Sequence, residues 1–348
     1  MQNLAEREIT MQKTENKGLN YLKAVACIIV VLLHCPIPGI VGDGIIYGLR
    51  FSVPVFFMIT GYFSYGQDKE WIQRQIKKTI CLLGKAEVIS GVILLLINIS
   101  QYGVSNGISM MRENLQSIRN PIKVLLFGSI FNSTLWYLYA LIWTLVIMNV
   151  VYKYLSKKWI YYSIIILLFI HITGRMYLQK HWDINNYVYL FRSAILFGVP
   201  FVLLGNLIAR YANKIRTRIT FKKSIIILCI GVMVQMCEFL KWRQYMDLQF
   251  STIIIAGALF WIASEYWTKD YLPMIRIIGK KYSVWIYILH LPIANLIDFF
   301  VLEAAGRVYL YIRPFVVIII SCVCAIIIVK IEKIHYKKRS CNPNAKRT

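Results

Sequence analysis

Long apolar runs, each of about twenty residues, alternate with short polar segments along most of the chain. At about 1.5 Å of rise per residue, a helix of that length crosses the hydrocarbon core of a bilayer. The pattern predicts ten membrane helices, over 19–38, 45–65, 79–99, 134–152, 159–174, 187–209, 223–240, 250–267, 283–300 and 310–330. Backbone polar groups inside a bilayer must be satisfied within the segment, and a helix does this without a partner strand. The expected fold is therefore all-α, a polytopic bundle of about ten transmembrane helices. A polar N-terminal tail over 1–18 and a basic tail over 336–348 are expected to flank a membrane domain over 19–335. Eighteen mostly polar residues precede the first run and no small-x-small pattern follows it, so that run reads as an anchor, not a cleaved leader. The sixth run is interrupted by Gly198-Val199-Pro200 and by Gly205, which reads equally as a proline kink or as a functional break.

Composition agrees with this environment. The chain is 58% hydrophobic and only 16% charged, with a mean hydropathy of +0.57, yet its formal net charge is +24. With the N-terminus on the cytoplasmic side, the inner segments carry roughly three times as many Lys and Arg as the outer ones, which places both termini inside. That bias spreads the charge over short inner loops and leaves no basic stripe with interleaved aromatics, so nucleic acid is not an expected partner. The eight cysteines fall mostly within predicted helices and form no CxxC pair. Neither a disulfide framework nor a metal site is expected.

Among the basic residues, Lys23, Arg50, Lys85 and Arg192 fall within or at the edge of the apolar runs. Ionisable groups at such depth tend to face a cavity or a partner, although Lys23 is also placed to snorkel and Arg50 and Arg192 to anchor the outer rim. In the stretch KAVACIIVVLLHC, Lys23 precedes His34 by eleven residues. At about 100° per residue, they stand about 20° from eclipsed on one helix face, about 16 Å apart along the axis. A cation at the inner end of such a face suits phosphate. A neutral imidazole at the outer end suits removal of a hydroxyl proton or transient acylation. Acyl-CoA, with phosphates at one end and a thioester at the tip of a long arm, fits that line as the donor substrate, with no bound cofactor required.

With this spacing the chain resembles acyltransferase family 3, membrane proteins that O-acylate cell-surface sugars and related acceptors. Lys23-x10-His34 resembles the family's basic-x10-His signature in its first helix, with Lys where Arg is commoner. LRFSVPVFFMITGYF (49–63), STLWYLYALI (133–142), FGVPFVLLGNLI (197–208) and SVWIYILHLPI (283–293) are similar to its second-, fourth-, sixth- and ninth-helix motifs, in the same order. RQIKK (74–78) is a loose counterpart of its Arg-rich first cytoplasmic loop. The chain is similar, too, to the membrane domains of vancomycin-resistance serine racemases and to small sugar O-acetyltransferases, and no attached racemase or hydrolase-like domain is expected.

The resemblance implies an O-acetyltransferase of the bacterial cell membrane. It would move an acyl group from cytoplasmic acyl-CoA to a hydroxyl of an extracytoplasmic or lipid-linked glycan, with membrane lipids as its surroundings. His34 would be base or acyl carrier, and Arg50 would steady the thioester oxygen or the acceptor. Lys23 would hold the donor, with Arg74 and Lys77 at the inner mouth. His290 and Arg192 would line the cavity, and Trp136 would offer a stacking platform for a sugar. The rival class is a transporter or flippase for a polar small molecule or lipid-linked sugar, using the same polar line as a path. Such folds often show paired repeats, and none stands out here.

Other residues draw blander expectations. His171 and His181, beside Arg175 and Lys180, read as solvated residues of an outer loop in preference to contacts for an anionic acceptor, and His335 as structural. Cys35 points about 100° away from His34, so a Cys-His nucleophile is not expected. Glu87 and Lys85 stand close enough to neutralise each other, although two residues of spacing suits a direct pair poorly, while Glu238 and Asp298 form no carboxylate dyad. The outer loop 100–133 has apolar residues at helical spacing and is expected to carry a short interfacial helix over the acceptor site.

Overall fold

In the computed structural model, residues 15–116, 128, 130–154, 157–181, 187–242 and 247–340 are described. The tail before residue 15, part of the 100–133 loop, the side chain of His335 and the tail from 341 lie outside them. Among the described residues nine helices are long and apolar enough to cross a membrane, and a tenth, Phe250–Tyr266, has 17 residues. Each of the ten apolar runs falls on one of these helices. The chain is an all-α polytopic membrane protein. Large apolar side chains stay exposed along the outer helices, such as Ile226, Met233, Met236 and Leu240 on Phe221–Trp242. A soluble protein would not tolerate such a surface, whereas lipid accepts it.

We number the helices in chain order: α1 Lys17–His34, α2 Ile40–Gly48, α3 Ser52–Ser64, α4 Lys69–Gln116, α5 Trp136–Val151, α6 Lys158–His181, α7 Val199–Arg218, α8 Phe221–Trp242, α9 Phe250–Tyr266 and α10 Ser283–Ser340. Helix α1 lies at the centre, packed on α3, α9 and α10. Asn16 caps it by accepting the Leu19 N–H at 2.9 Å, which satisfies one orphan donor of the first turn.

Glycines set how closely the helices approach. A Cβ on Gly18 would stand 1.8 Å from the Ala263 carbonyl oxygen, and one on Gly279 1.8 Å from that of Asn20. The same arithmetic holds for α3 against α7, where Gly61 faces the Val202 carbonyl and Gly205 that of Met58. Small residues allow such contact between membrane helices, where dispersion replaces the hydrophobic drive.

Several boundaries differ from the hydropathy reading. The second run is two helices, α2 and α3, broken at 49–51, and α3 carries Pro54 in its first turn, where a missing N–H costs nothing. Helix α4 turns at Gly103, whose φ of 81° suits a residue without Cβ, and continues to Gln116. This second piece is the helix expected in the 100–133 loop. Helix α6 runs on through Gly174 to His181, so Arg175 lies in a helix and not in a loop. Helix α10 likewise turns at Gly306, φ 57°.

The break in the sixth run falls at Arg192–Ser193, not at Pro200. A single turn, Val188–Phe191, ends at Arg192, and Ser193 caps a π-helical turn, Ala194–Gly198, by accepting the Leu196 N–H at 3.2 Å. Pro200 sits in the first turn of α7, where it does not kink the helix. Gly198 makes room for Thr144, whose Oγ1 would meet a Cβ at 2.0 Å.

Candidate active site

The face of α1 predicted to carry Lys23 and His34 separates two environments. At the Lys23 end, a cavity of about 230 Å³ is lined by Lys23, Lys78, Gln75, Thr79, Tyr137 and Tyr287, among others. Lys78 is exposed and Lys23 half-buried. Neither lysine forms an ion pair with a carboxylate among the described residues. Arg74 and Lys77, expected at this mouth, do not line it. Arg74 is 56% exposed and pairs with Asp68 and Glu70, and Lys77 faces outward. Lys78, one residue on, points the other way around the helix and takes their place. Another cavity, of about 350 Å³, lies between α1, α3, α7 and α9. It shares no lining residue with the first, and its Arg216 is already matched by the buried Glu265.

Aromatic rings lead from the Lys23 cavity to His34. Tyr137 and Tyr287 meet edge to face at 5.5 Å between centroids, and Tyr287 lies 6.0 Å from His290. His290 in turn lies 5.3 Å from His34. The Tyr287 hydroxyl donates to the Thr134 carbonyl, which fixes its ring. His290 is fully buried, with Nδ1 2.6 Å from the Tyr287 carbonyl oxygen. A ring nitrogen facing a carbonyl must carry the proton, so neutral His290 presents a bare lone pair at Nε2. That nitrogen is buried without a partner. His34, in contrast, is exposed at the end of α1.

Around His34 stands a cluster that the sequence reading assembled only in part. Arg50, Arg192 and Asp247 all lie within electrostatic reach of the His34 ring. Arg192 donates through Nε and Nη2 to both Asp247 oxygens, at 3.2 and 2.8 Å, and Arg50 Nη1 reaches the same carboxylate at 3.3 Å. Arg175 completes the ring, with Nη2 4.0 Å from Asp247. Burial works to raise the Asp247 carboxyl pKa, but the surrounding Arg192, Arg50 and Arg175 hold it well below the usual carboxylate range. The guanidinium of Arg192 lies 5.6 Å from the Trp136 ring centre, and Phe197 meets the indole edge-on. In this state Trp136 holds a guanidinium by a cation–π contact.

Buried acids and amides hold these groups in place. Gln235 of α8 donates to the Tyr47 and Gly48 carbonyls at 3.3 Å, which pins the chain just before the Arg50 break. Glu238 accepts the Phe250 N–H at 3.1 Å and the Ser251 N–H at 3.4 Å. It thereby caps α9 from another helix and fixes the segment that carries Asp247. Glu87 does the same ahead of Trp136, accepting the Ile130 and Phe131 N–H groups at 3.0 and 3.1 Å and the Tyr139 hydroxyl at 3.2 Å. It does not neutralise Lys85, which pairs instead with Glu332 at 2.7 Å, since residues two apart on a helix do not face each other. Asp298 pairs with Arg313 and accepts the Tyr309 hydroxyl.

His171 corrects another expectation. It is fully buried, packed edge-on between Phe191 and Phe197, and not a solvated loop residue. His181 is exposed beside Tyr177, as expected. Arg175 and Asp247 were missed because each stood near a predicted loop. A signal was present for Arg175. Ile164, Leu168, His171, Ile172 and Arg175 are the buried positions of α6, and their spacing of three to four continues the buried stripe past Gly174.

Compared with known proteins, the chain matches a family model described as an acyltransferase domain, that of acyltransferase family 3, over residues 16–331. Neither the curated proteins nor the solved structures compared with it include a match. The matched segment begins at the Asn16 cap of α1 and takes in Lys23, His34, the arginine cluster and His290. The chain therefore belongs to acyltransferase family 3 and is a polytopic membrane acyltransferase.

Proposed function

We propose that this acyltransferase moves an acetyl group from cytoplasmic acetyl-CoA to a hydroxyl of an extracytoplasmic or lipid-linked glycan, in the cell membrane of a bacterium. The observation that carries this reading is the run from a dibasic cavity, past Tyr137 and Tyr287, to the His290–His34 pair. Lys23 and Lys78 hold phosphate of the donor as point charges. The thin acyl arm runs past the tyrosines, and the thioester carbonyl comes to rest near His34. The acceptor hydroxyl then gives its proton to the His34 imidazole as its oxygen bonds to the thioester carbon. Collapse of the tetrahedral intermediate breaks the C–S bond, and the imidazolium returns the proton to the departing thiolate. Guanidinium charge from Arg50 stabilises the oxyanion formed between these steps.

Purified protein in nanodiscs should cleave the acetyl-CoA thioester, with free thiol released in step with acetylation of an added glycan acceptor. A transporter would move solute and leave the thioester intact. Orientation is checked separately, in a background lacking the native cysteines. Asn106→Cys should react with a membrane-impermeant maleimide in intact cells, and Gln73→Cys only after permeabilisation. The reverse pattern would exchange the donor and acceptor sides.

A further inference from the structure

The arginine cluster beside His34 holds more positive charge than one carboxylate can cancel. Arg192 and Arg175 both pair with Asp247, the one carboxylate in ion-pair distance of either among the described residues. Arg175 is only 6% exposed, and its Nε and Nη1 are buried without hydrogen-bond partners. Its neighbours His171 and Phe191 supply no anion. A guanidinium held that deep behind the cluster raises the local potential and costs stability unless something offsets it. Arg192, in front, uses Nε and Nη2 on Asp247 and is 34% exposed. A guanidinium has five N–H donors in a planar fork, so it keeps donors for a second anion.

Resting on the acyl-transfer reading, we infer that this cluster is the acceptor subsite, and that the acceptor carries an anionic oxygen group, carboxylate or phosphate, close to the hydroxyl that is acylated. Arg192 is the contact residue. Arg175 acts behind it through charge, and Asp247 keeps the Arg192 fork oriented. An anion seated there leaves the neighbouring hydroxyl facing His34, so binding of the anion also orients the nucleophile. A neutral sugar would leave the surplus charge unanswered.

The test compares three small probes, methyl glucoside, methyl glucuronide and methyl glucoside 6-phosphate. Binding is measured at equilibrium to the full chain in phosphatidylcholine nanodiscs, and acetyl transfer in the same discs. At least one anionic probe is expected to bind about tenfold to a hundredfold more tightly than methyl glucoside, the range of one charge-assisted contact. Arg192→Gln should remove that preference while the acetyl-CoA affinity stays unchanged, and Arg192→Lys should restore part of it. Equal binding of all three probes by the wild-type protein would overturn the inference. So would loss of anion binding when phosphatidylglycerol replaces phosphatidylcholine, since a lipid headgroup would then be the occupant. Arg192→Gln also tests the fold, because it releases Asp247. Retained acetyl-CoA binding identifies a folded variant, and an anion preference surviving in it would also overturn the assignment. Anion binding without any thioester cleavage would leave the subsite standing and remove the acyl-transfer reading instead.

Discussion

Replacement of His34 by alanine is expected to lower the rate of acyl transfer by about 10²–10⁴-fold, the usual cost of removing a positioned base. The fold should survive, because His34 is exposed at the last turn of α1 and fills no core cavity. The Cys35 N–H donates to the Val31 carbonyl at 2.8 Å and keeps the helix end closed without the imidazole. Helical rise separates His34 from Lys23 by about 16 Å, so the loss should appear in kcat with the apparent KM for acetyl-CoA nearly unchanged. Protein incubated with radiolabelled acetyl-CoA and no acceptor distinguishes the two roles of the ring. A covalent carrier accumulates label on His34, whereas a general base leaves the protein unlabelled. Activity within a few-fold of wild type in His34→Ala would transfer the chemistry first to His290, whose Nε2 is buried without a partner 5.3 Å, ring to ring, from His34.

Loss of either lysine of the donor cavity should act on the opposite kinetic parameter. Lys23→Gln is expected to raise the apparent KM for acetyl-CoA about tenfold to a hundredfold, corresponding to roughly 1.5–3 kcal/mol for one charge-assisted contact. Lys78→Gln should raise it by less, because Lys78 is exposed and solvent screens its charge. If both lysines hold one phosphate group, the double variant should cost less than the two single losses summed, since each removes part of the same interaction. Lys23→Arg keeps the charge and should retain most of the affinity. A Lys23 that only snorkels toward the interface would give Lys23→Gln an unchanged donor KM, and that result would remove the cavity from the mechanism. Full additivity would place the two lysines on separate groups of the donor.

What the sequence determined by itself is what depends on local period and on the cost of polarity in lipid. Ten apolar runs are visible because each must be long enough to cross a bilayer. The shared face of Lys23 and His34 is visible because both lie on one uninterrupted helix, where 100° per residue fixes direction. Residues flagged for charge within an apolar run, Arg50 and Arg192, were likewise within reach, since a cation at that depth needs a reason.

Tertiary structure decided which distant elements meet. Asp247 stands outside the apolar runs and becomes the centre of the arginine cluster only because Glu238 and Gln235 of α8 anchor the segments beside it. Arg175 reads as a loop residue until α6 continues past Gly174 and buries it. Lys78, and not Arg74 or Lys77, enters the donor cavity because a step of one residue turns a side chain by about 100°, and only the neighbouring helices define which direction is inward. The same holds for the broken sixth run. Gly and Pro mark the interruption in sequence, but the break that presents Arg192 lies before them, where Ser193 caps a new turn. Local chemistry writes the helices and their faces. The ion pairs of the cluster join residues more than fifty positions apart, which no local pattern encodes.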